Sequence, residues 1–247
     1  MIVGIIPARY SATRLPGKPL VDLCGQSMIE RVWRASNSCA ELDRVIIATD
    51  DVRIVDEARR IGAEAVLTDP ALPSGTDRCH AAAMTLPTVP EIVINIQGDE
   101  PLLRPEVLSS LIEALRQGRA DVATPVSRIT DSAELSDPNV VKVAITESGR
   151  AVYFSRSPIP HQRGASFETW LDHGPYWKHI GIYAYRLDAL KRHVHLLPTR
   201  LEQSEMLEQL RLLSDGATFE CVETSAQFIS VDTPEDADRV RQYLIEH

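Results

Sequence analysis

Short runs rich in β-branched residues alternate with amphipathic segments along the first half of the chain, and this alternation restricts the fold more than any other feature. The sequence predicts strands at 2–6, 44–49, 64–67, 91–97 and 121–126, with helices at about 27–38, 51–61, 75–86 and after Pro105. Strands that alternate with helices are typical of βαβ units, which build a doubly wound sheet. The runs "RVIIATD" and "EIVINIQ" are apolar over several consecutive residues, as expected of strands with helices on both faces. We therefore predict an α/β protein with a Rossmann-like, mostly parallel sheet.

The pattern changes after about residue 137. The runs "VVKVAIT" and "AVYFS", joined by "ESGR", predict an antiparallel hairpin, and "KHIGIYAYR" at 178–186 predicts one further strand. Between them, 157–177 is rich in Pro, Gly, His and aromatic residues and predicts a long functional or mobile loop. No repeat or linker marks a second domain, so we interpret this region as a substructure inserted into one domain spanning 1–247.

Two helices are predicted near the C-terminus. The first lies in "EQSEMLEQLRLLSDG" and ends at Gly216. Its apolar stripe would comprise Met206, Leu207, Leu210 and Leu213. The last helix follows the apolar run "FISV" and begins within "DTPED", where Thr233 suits the N-cap and Pro234 the first helical position.

Charge and cysteine content exclude several classes of function. The net charge of −9 argues against a nucleic-acid partner, because such proteins bind phosphates through clustered Lys and Arg. The cysteines lie far apart and form neither a C-x-x-C pair nor a zinc spacing with His, which fits a reducing cytoplasm. They are Cys24, Cys39, Cys79 and Cys221. The first predicted strand follows Met1 directly, and no window approaches about 18 apolar residues, so we expect neither a secretion signal nor a membrane span.

The loop after the first strand gathers three cations, Arg9, Arg14 and Lys18, in a segment stiffened by prolines. Ligands of parallel sheets bind beyond the carboxyl ends of the strands, where this loop would lie. The segment contains neither the P-loop motif nor G-x-G-x-x-G, so a phosphate would be held by side-chain cations and loop amides. The sequence predicts a site for a small anion here, and the alternative is a solvated surface loop.

Two aspartates follow apolar runs in a similar way. Asp99 comes after "IVINIQ" and Gly98, and Asp232 comes after "FISV". Both carboxylates are therefore expected at the ligand-binding edge of the sheet. A turn would equally explain Asp99, and the start of the last helix would explain Asp232.

Seven motifs occur in register over nearly the whole chain. They are "IPAR" with "TRLPGKPL" near the start, "SGTDR" at 74–78, "NIQGDEPL" at 95–102, "YFSR" at 153–156, "KHIGIYAYR" at 178–186, "LEQLR" at 207–211 and "VDTPED" at 231–236. Together they resemble the 3-deoxy-manno-octulosonate cytidylyltransferases, the CMP-Kdo synthetase family. The related CMP-sialic acid synthetases share "IPAR" but usually continue towards a K-N pair, where this chain has Lys18 and Pro19.

This resemblance implies a nucleotide-diphospho-sugar transferase fold, with the inserted hairpin and sugar-binding region at about 138–186. It implies a cytoplasmic homodimer, joined through the hairpin, that acts in lipopolysaccharide synthesis. The implied reaction is attack of the anomeric hydroxyl of 3-deoxy-D-manno-octulosonate (Kdo) on the α-phosphate of CTP, with Mg²⁺, giving CMP-Kdo and pyrophosphate. Such a transfer depends on positioning and charge neutralisation, which suits a site made of cations and carboxylates.

The resemblance also assigns residues to roles. Arg9, Lys18 and Asp99 would be catalytic, and Asp99 and Asp232 would be the magnesium ligands, since Mg²⁺ prefers carboxylate oxygens. The nucleotide would contact Pro7, Ala8, Arg9, Lys18, Ser74, Gly75, Arg78 and Gln97. The sugar would contact Gln97, Arg156, His179, Tyr183, Glu208 and Gln209.

Several of these assignments have plainer alternatives. Ser74 suits a capped helix start, Arg156 a surface charge, His179 an interior histidine and Glu208 a solvated helix face. For the whole protein, the alternatives are a cytidylyltransferase for sialic acid or for the 8-amino analogue of Kdo, a glycosyltransferase, and a non-catalytic nucleotide-binding module. "TDD" at 49–51 lacks the D-x-D spacing of many glycosyltransferases. A pair of carboxylates suited to a metal argues against a mere binding module.

Overall fold

The computed structural model describes residues 1–11 and 14–247; Thr13, which begins "TRLPGKPL", lies outside the described residues. The strands are β1 (Ile2–Ala8), β2 (Arg44–Thr49), β3 (Glu64–Leu67), β4 (Ile92–Asn95), β5 (Val122–Ile129), β6 (Lys142–Ile145), β7 (Ala151–Ser155), β8 (Tyr176–His179), β9 (Tyr183–Arg186) and β10 (Phe219–Glu223). The helices are α1 (Met28–Asn37), α2 (Val52–Ile61), α3 (Gly75–Met84), α4 (Pro105–Gln117), α5 (Ser132–Ser136), α6 (Trp170–His173), α7 (Leu187–His195), α8 (Arg200–Glu205), α9 (Gln209–Ser214) and α10 (Pro234–Glu246).

The chain folds into two compact units. The first unit comprises Met1–Ser109 and Ala226–His247, and the second comprises Ser110–Ser225. The first unit is therefore discontinuous in sequence, because the second is inserted between its two segments. The single domain expected from the sequence remains a prediction.

The first unit is built on parallel strands in the order β3-β2-β1-β4. Ile5 in the central strand pairs with Ile46 on one side and Asn95 on the other. The side chain of Ile5 is fully buried, as are those of Val3 in the same strand and Val93 in β4. Helices α1, α2 and α3 pack against these strands. The predicted α/β class and the alternating order of elements are confirmed.

The second unit combines parallel and antiparallel pairing. Strand β5 pairs in parallel with β10 and antiparallel with β8 and β9. The predicted hairpin is confirmed as β6 and β7, with Gly149 at φ 84° in its turn. β10 was not anticipated from the sequence. The segment 157–177 is not a loop throughout, because it contains a short 3₁₀ helix at Phe167–Thr169 followed by α6.

The single strand predicted at 178–186 is wrong, because the chain forms β8 and β9 with a bend between them. At the bend the N–H of Ile182 donates to the carbonyl of Ile180 at 2.8 Å, which closes a tight turn around Gly181. The buried hydroxyl of Thr124 lies against both carbonyls, 3.2 Å from Ile180 O and 2.8 Å from Ile182 O. Tertiary contacts therefore interrupt a run that alternates locally like a strand.

The helix predicted within 202–216 is also interrupted. Met206 adopts a left-handed conformation (φ 51°) between α8 and α9, and it is 76% exposed. Its placement on the apolar stripe was wrong, whereas Leu207 and Leu210 are buried. Gly216 follows α9 at φ 84°, which confirms the predicted stop.

The C-terminal helix begins as predicted. Thr233 is the N-cap of α10, Pro234 occupies the first turn, and Thr233 and Asp236 form a reciprocal capping box. The preceding run "FISV" is not a strand. Within the described residues, none of the helices has the length and apolar character needed to cross a membrane.

Two glycines, Gly98 and Gly75, lie against Pro7 in β1. Substitutions at these positions test how closely the turn after β4 approaches β1. A Cβ on Gly98 would lie 3.1 Å from the backbone carbonyl of Pro7, whereas a Cβ on Gly75 would lie 3.4 Å from the Pro7 ring. We expect Gly98→Ala to lower the free energy of unfolding by about 1–3 kcal/mol, because a backbone carbonyl cannot move aside without strain. Gly75→Ala, the matched control, should leave it unchanged or raise it slightly. Chemical denaturation would measure both, and equal stabilities would contradict the close approach.

Candidate active site

The ends of β1 and β4 bring the two predicted halves of the anion site together. These strands are parallel neighbours, so the loop after Ala8 and the turn at Gly98 lie at the same edge. Lys18 begins the 3₁₀ helix Lys18–Leu20, after Gly17 at φ 69°. The N–H of Gly17 donates to the carbonyl of Tyr10 at 3.1 Å, which folds the loop back on itself. Lys18 is thereby directed towards the end of β4.

Lys18 lies between two carboxylates. Its Nζ is 2.7 Å from Asp99 Oδ2 and 3.0 Å from Asp232 Oδ1, and the Lys18 side chain is only 17% exposed. Burial alone would lower the pKa of Lys18, but the charges and hydrogen bonds of Asp99 and Asp232 raise it above its ordinary value. The lysine is therefore a permanent cation in this state.

The position of Asp232 depends on the backbone around it. The N–H of Val231 donates to the carbonyl of Asp99 at 3.0 Å, so the two aspartates are held side by side. Because Thr233 caps α10, the Asp232 carboxylate is not needed for the cap. It instead bonds Lys18, and its second oxygen lies 2.9 Å from Arg14 NH2. The geometry therefore favours a site role for Asp232 over simple helix initiation.

A cleft of about 250 Å³ opens at this edge. Its lining includes Pro7, Ala8, Arg9, Ser11, Lys18, Pro19, Met28, Gln97, Gly98 and Asp99. Six of the residues predicted to bind nucleotide or metal are thus brought together around one cavity. The polar part of the lining includes two cations, Arg9 and Lys18, the amide of Gln97 and the carboxylate of Asp99. The two cations suit the phosphates of a ligand.

The "SGTDR" segment lies beside this cleft rather than in its lining. Ser74 caps α3 by accepting from the N–H of Asp77 at 3.2 Å, so the plainer interpretation of a helix cap is confirmed for its side chain. Gly75 lies against Pro7. Arg78 is completely buried and pairs with Asp50 at 3.0 Å. Contact of these three residues with a nucleotide remains a prediction.

Five of the six predicted sugar-binding residues lie in the second unit, whereas Gln97 lines the cleft of the first unit. The rings of His179 and Tyr183 are 5.3 Å apart. Burial lowers the pKa of His179 to about 3, so this ring is neutral at physiological pH. Burial and the charge of Glu208 raise the pKa of Tyr183 well above its usual value, which keeps its phenol protonated. The pair therefore offers uncharged hydrogen-bonding groups.

Directly after the helix break, Glu208 is the N-cap of α9 and Gln209 is its first residue. The carboxylate of Glu208 accepts from Nε2 of His193 at 2.9 Å, and His193 is buried. Gln209 is also buried. Glu208, whose side chain is 34% exposed, is therefore paired with an interior histidine, so solvation of a helix face does not describe it fully.

Arg156 is engaged with backbone carbonyls. Its guanidinium donates to Glu205 O at 2.7 Å, to Pro138 O at 2.9 Å and to Met206 O at 3.4 Å. The Glu205 carboxylate in turn accepts from the Arg156 N–H at 2.9 Å. These bonds surround the break between α8 and α9. Contact of Arg156 with a substrate carboxylate remains a prediction, and in this state the side chain stabilises the break.

Several residues of these sites gave no signal in the sequence. Asp50 pairs with buried Arg78, Thr124 contacts His179 at 3.0 Å, and His193 holds Glu208. Each is distant in sequence from its partner or lies in a segment without a recognisable motif. Only the position of Asp50 after β2, at a strand carboxyl end, could have indicated a site residue.

The carboxylates fit a magnesium ion in part. Asp99 Oδ2 and Asp232 Oδ1 both contact Lys18 Nζ, so they lie no more than about 5.7 Å apart, the sum of the two distances, and small side-chain shifts would let both reach one cation. In the described residues, no group of three or more His, Cys, Asp or Glu side chains is arranged to hold a metal. Phosphate and water oxygens would complete the coordination, as is usual for Mg²⁺.

The carbonyl contacts of Arg156 predict a structural effect. Arg156→Ala should lower the free energy of unfolding by about 2 kcal/mol, because three carbonyls lose a charged donor. Arg128→Ala is the matched control, since Arg128 is exposed and makes no ion pair or side-chain hydrogen bond within the described residues. Thermal and denaturant unfolding would compare them. An Arg156→Ala variant as stable as the control would show that these contacts do not hold the break.

Comparisons with known proteins agree with this geometry. Residues 3–223 match the family model described as "Cytidylyltransferase". The 3-deoxy-manno-octulosonate cytidylyltransferase of Cytophaga hutchinsonii is 44% identical over 240 residues, covering 97% of this chain and 96% of that protein. The protein of the same name from Anaeromyxobacter dehalogenans is 46% identical over 243 residues, covering 98% and 97%.

A solved structure is similar over the same length. The structure of CMP:2-keto-3-deoxy-manno-octonic acid synthetase complexed with CTP matches with a TM-score of 0.92 at 38% identity, covering 99% of this chain and 98% of that one. The fold expected from the seven motifs is thereby confirmed. This chain belongs to the cytidylyltransferase family.

Proposed function

We propose that this protein transfers the cytidylyl group of CTP to Kdo, giving CMP-Kdo and pyrophosphate for lipopolysaccharide synthesis. The observation that carries the proposal is the identity of 44–46% over nearly the full length to proteins named for this reaction. The similar synthetase solved with CTP supports the choice of nucleotide. The cleft at the ends of β1 and β4 supplies the groups that such a transfer requires.

The reaction forms one bond and breaks another at the α-phosphorus. The anomeric hydroxyl of Kdo attacks that phosphorus and releases its proton, while the bond to the β-phosphate oxygen breaks and pyrophosphate leaves. Lys18 and Arg9, which both line the cleft, would neutralise the phosphate charge that builds up. Preorganised charges of this kind are the main source of rate enhancement in phosphoryl-type transfer.

We include Mg²⁺ in the proposal, held by Asp99 and Asp232. In the structure these carboxylates are balanced by Lys18 and Arg14. A triphosphate that drew both cations away would leave two carboxylates without counter-charges, and a divalent cation would restore the balance. The chemistry that Mg²⁺ supplies when bound is neutralisation of phosphate oxygens and orientation of the leaving group.

The second unit would hold the sugar acid, through Arg156, His179, Tyr183, Glu208 and Gln209. We also propose that the enzyme is cytoplasmic and works as a homodimer through the β6–β7 hairpin. These parts of the proposal are supported by the resemblance of the motifs.

Pyrophosphate release tests the reaction directly. We expect release only when CTP, Mg²⁺ and Kdo are all present, and little when ATP, GTP or UTP replaces CTP. Sialic acid and the 8-amino analogue of Kdo, each run in place of Kdo, would identify the acceptor. Release with sialic acid but not with Kdo or its analogue would contradict the assignment, as would no release with any acid.

Asp99→Asn and Asp232→Asn test the metal ligands. Each should lower kcat by about 10² or more, because a neutral amide keeps the shape but loses the charge that holds the cation. Activity should recover in part at high Mg²⁺ or Mn²⁺. The measurement is kcat against metal concentration, with a thermal melting curve for each variant.

Asp238→Asn is the matched control for Asp232→Asn. Asp238 lies in α10, the helix that Asp232 precedes; in the part of the chain that the structure describes it pairs with Arg241 alone, and its side chain is 76% exposed. It should keep full activity and the wild-type metal dependence. If Asp232→Asn behaved like this control, Asp99 would be the only protein ligand and the two-carboxylate site would be wrong.

A further inference from the structure

The hydroxyl of Thr124 contacts three polar atoms at once. Its Oγ1 lies 2.8 Å from Ile182 O, 3.2 Å from Ile180 O and 3.0 Å from His179 Nε2. Thr124 lies in β5 and is completely buried, so no solvent competes for these contacts. The carbonyls belong to the bend between β8 and β9, directly after His179.

A count of protons fixes the direction of each bond. A threonine hydroxyl has one proton, and a carbonyl oxygen can only accept. If the proton pointed at His179, the hydroxyl oxygen would face two carbonyl oxygens at 2.8 and 3.2 Å with no proton between them. The hydroxyl therefore donates to the bend, and the remaining contact requires His179 Nε2 to donate to Oγ1.

The other nitrogen of His179 is then an acceptor. The ring is neutral, because burial lowers the pKa of His179 to about 3, and it is flanked by the aromatic rings of Phe154 and Tyr183. A neutral imidazole with its proton on Nε2 has a lone pair on Nδ1. Within the described residues Nδ1 makes no hydrogen bond, and it is not among the fully buried unpartnered atoms. It is therefore open to a ligand.

We propose that Thr124 is a positioning residue that fixes His179 in its Nε2–H tautomer, so that Nδ1 accepts a hydrogen bond from a hydroxyl group of the sugar acid. This deepens the proposed function and rests on it for the identity of the ligand. The arrangement excludes binding of the substrate carboxylate by His179, since a neutral Nδ1 acceptor repels a carboxylate. The histidine thus selects for the polyhydroxyl part of the acceptor, and the acid group must be bound elsewhere.

The tautomer can be observed without any activity. Nitrogen-15 NMR of imidazole-labelled protein distinguishes a protonated from an unprotonated ring nitrogen, and the His179→Gln variant assigns the signal. We expect wild-type His179 to carry its proton on Nε2 and to stay neutral between about pH 5 and pH 8, where free histidine titrates. A proton on Nδ1, or an imidazolium at neutral pH, would overturn the proposal.

Two substitutions of Thr124 test its effect on the ligand. Thr124→Val keeps the shape but removes the hydroxyl, and we expect a mixed tautomer and a KM for Kdo raised about tenfold, the size of one hydrogen bond, with the KM for CTP unchanged. Thr124→Ser is the matched control, because it keeps the hydroxyl and should retain the wild-type tautomer and both KM values. Melting curves check that each variant is folded.

The outcomes separate the two proposals. A purely structural threonine would change stability, or both KM values together, and that result would overturn the positioning role. A mixed tautomer in Thr124→Val with an unchanged KM for Kdo would show that Nδ1 does not contact the sugar. If the wild type did not use Kdo and CTP at all, the proposed function would fail, and with it the identity of the ligand, whereas the NMR result would still decide the tautomer.

Discussion

The ammonium group of Lys18, held between the carboxylates of Asp99 and Asp232, is the interaction on which the first unit depends. Two carboxylates so close together would repel each other in a partly buried site unless a cation lay between them. The lysine supplies that cation and joins the loop after β1, the turn after β4 and the segment before α10. The first two segments follow neighbouring parallel strands and therefore lie at the same edge of the sheet, and the bond from the Val231 N–H to the Asp99 carbonyl brings the third segment to that edge. These three charges stabilise the cleft by pairing with one another, and the proposed binding of a triphosphate with a divalent cation would rearrange the same pairs.

Much of this first unit could be predicted from the sequence because local rules and the tertiary fold agree there. Apolar runs bounded by helical segments predicted β1 to β4 along the chain, though not their order in the sheet, and the rule that ligands bind beyond strand carboxyl ends predicted Lys18 and Asp99 at one edge. The sequence of Thr233 and Pro234 fixed the start of α10, which left the Asp232 side chain for another role. The partner of each charge could not be derived in the same way. Arg78 resembles a free cation in "SGTDR", yet it is buried against Asp50, a pairing that depends on how α3 packs against the strands.

In the second unit local patterns and tertiary contacts disagree more often. The segment 202–216 has a helical stripe, but Arg156 binds the carbonyls of Glu205 and Met206 and stabilises a left-handed residue that no helix pattern predicts. The strand expected at 178–186 is interrupted because Thr124, a residue with ordinary strand propensity, binds the carbonyls of the bend through its hydroxyl. Both deviations occur where predicted ligand-binding side chains lie. An interruption of regular structure exposes backbone groups and redirects side chains, which is useful at a binding site. Predictions from local patterns therefore fail most readily at such positions.

The discontinuity of the first unit has a consequence for biosynthesis. Lys18 and Asp232 are separated by 214 residues, and the whole of Ser110–Ser225 is translated between the two segments of their unit. On the ribosome, β1 to β4 emerge early, but the lysine meets its second carboxylate only after the last segment has been synthesised and has docked. A contact of such long sequence separation forms late in folding. A nascent chain that has not reached Asp232 therefore has the sheet and the loop without the complete charge cluster, and the proposed two-carboxylate site would form only after Asp232 has been synthesised and has docked.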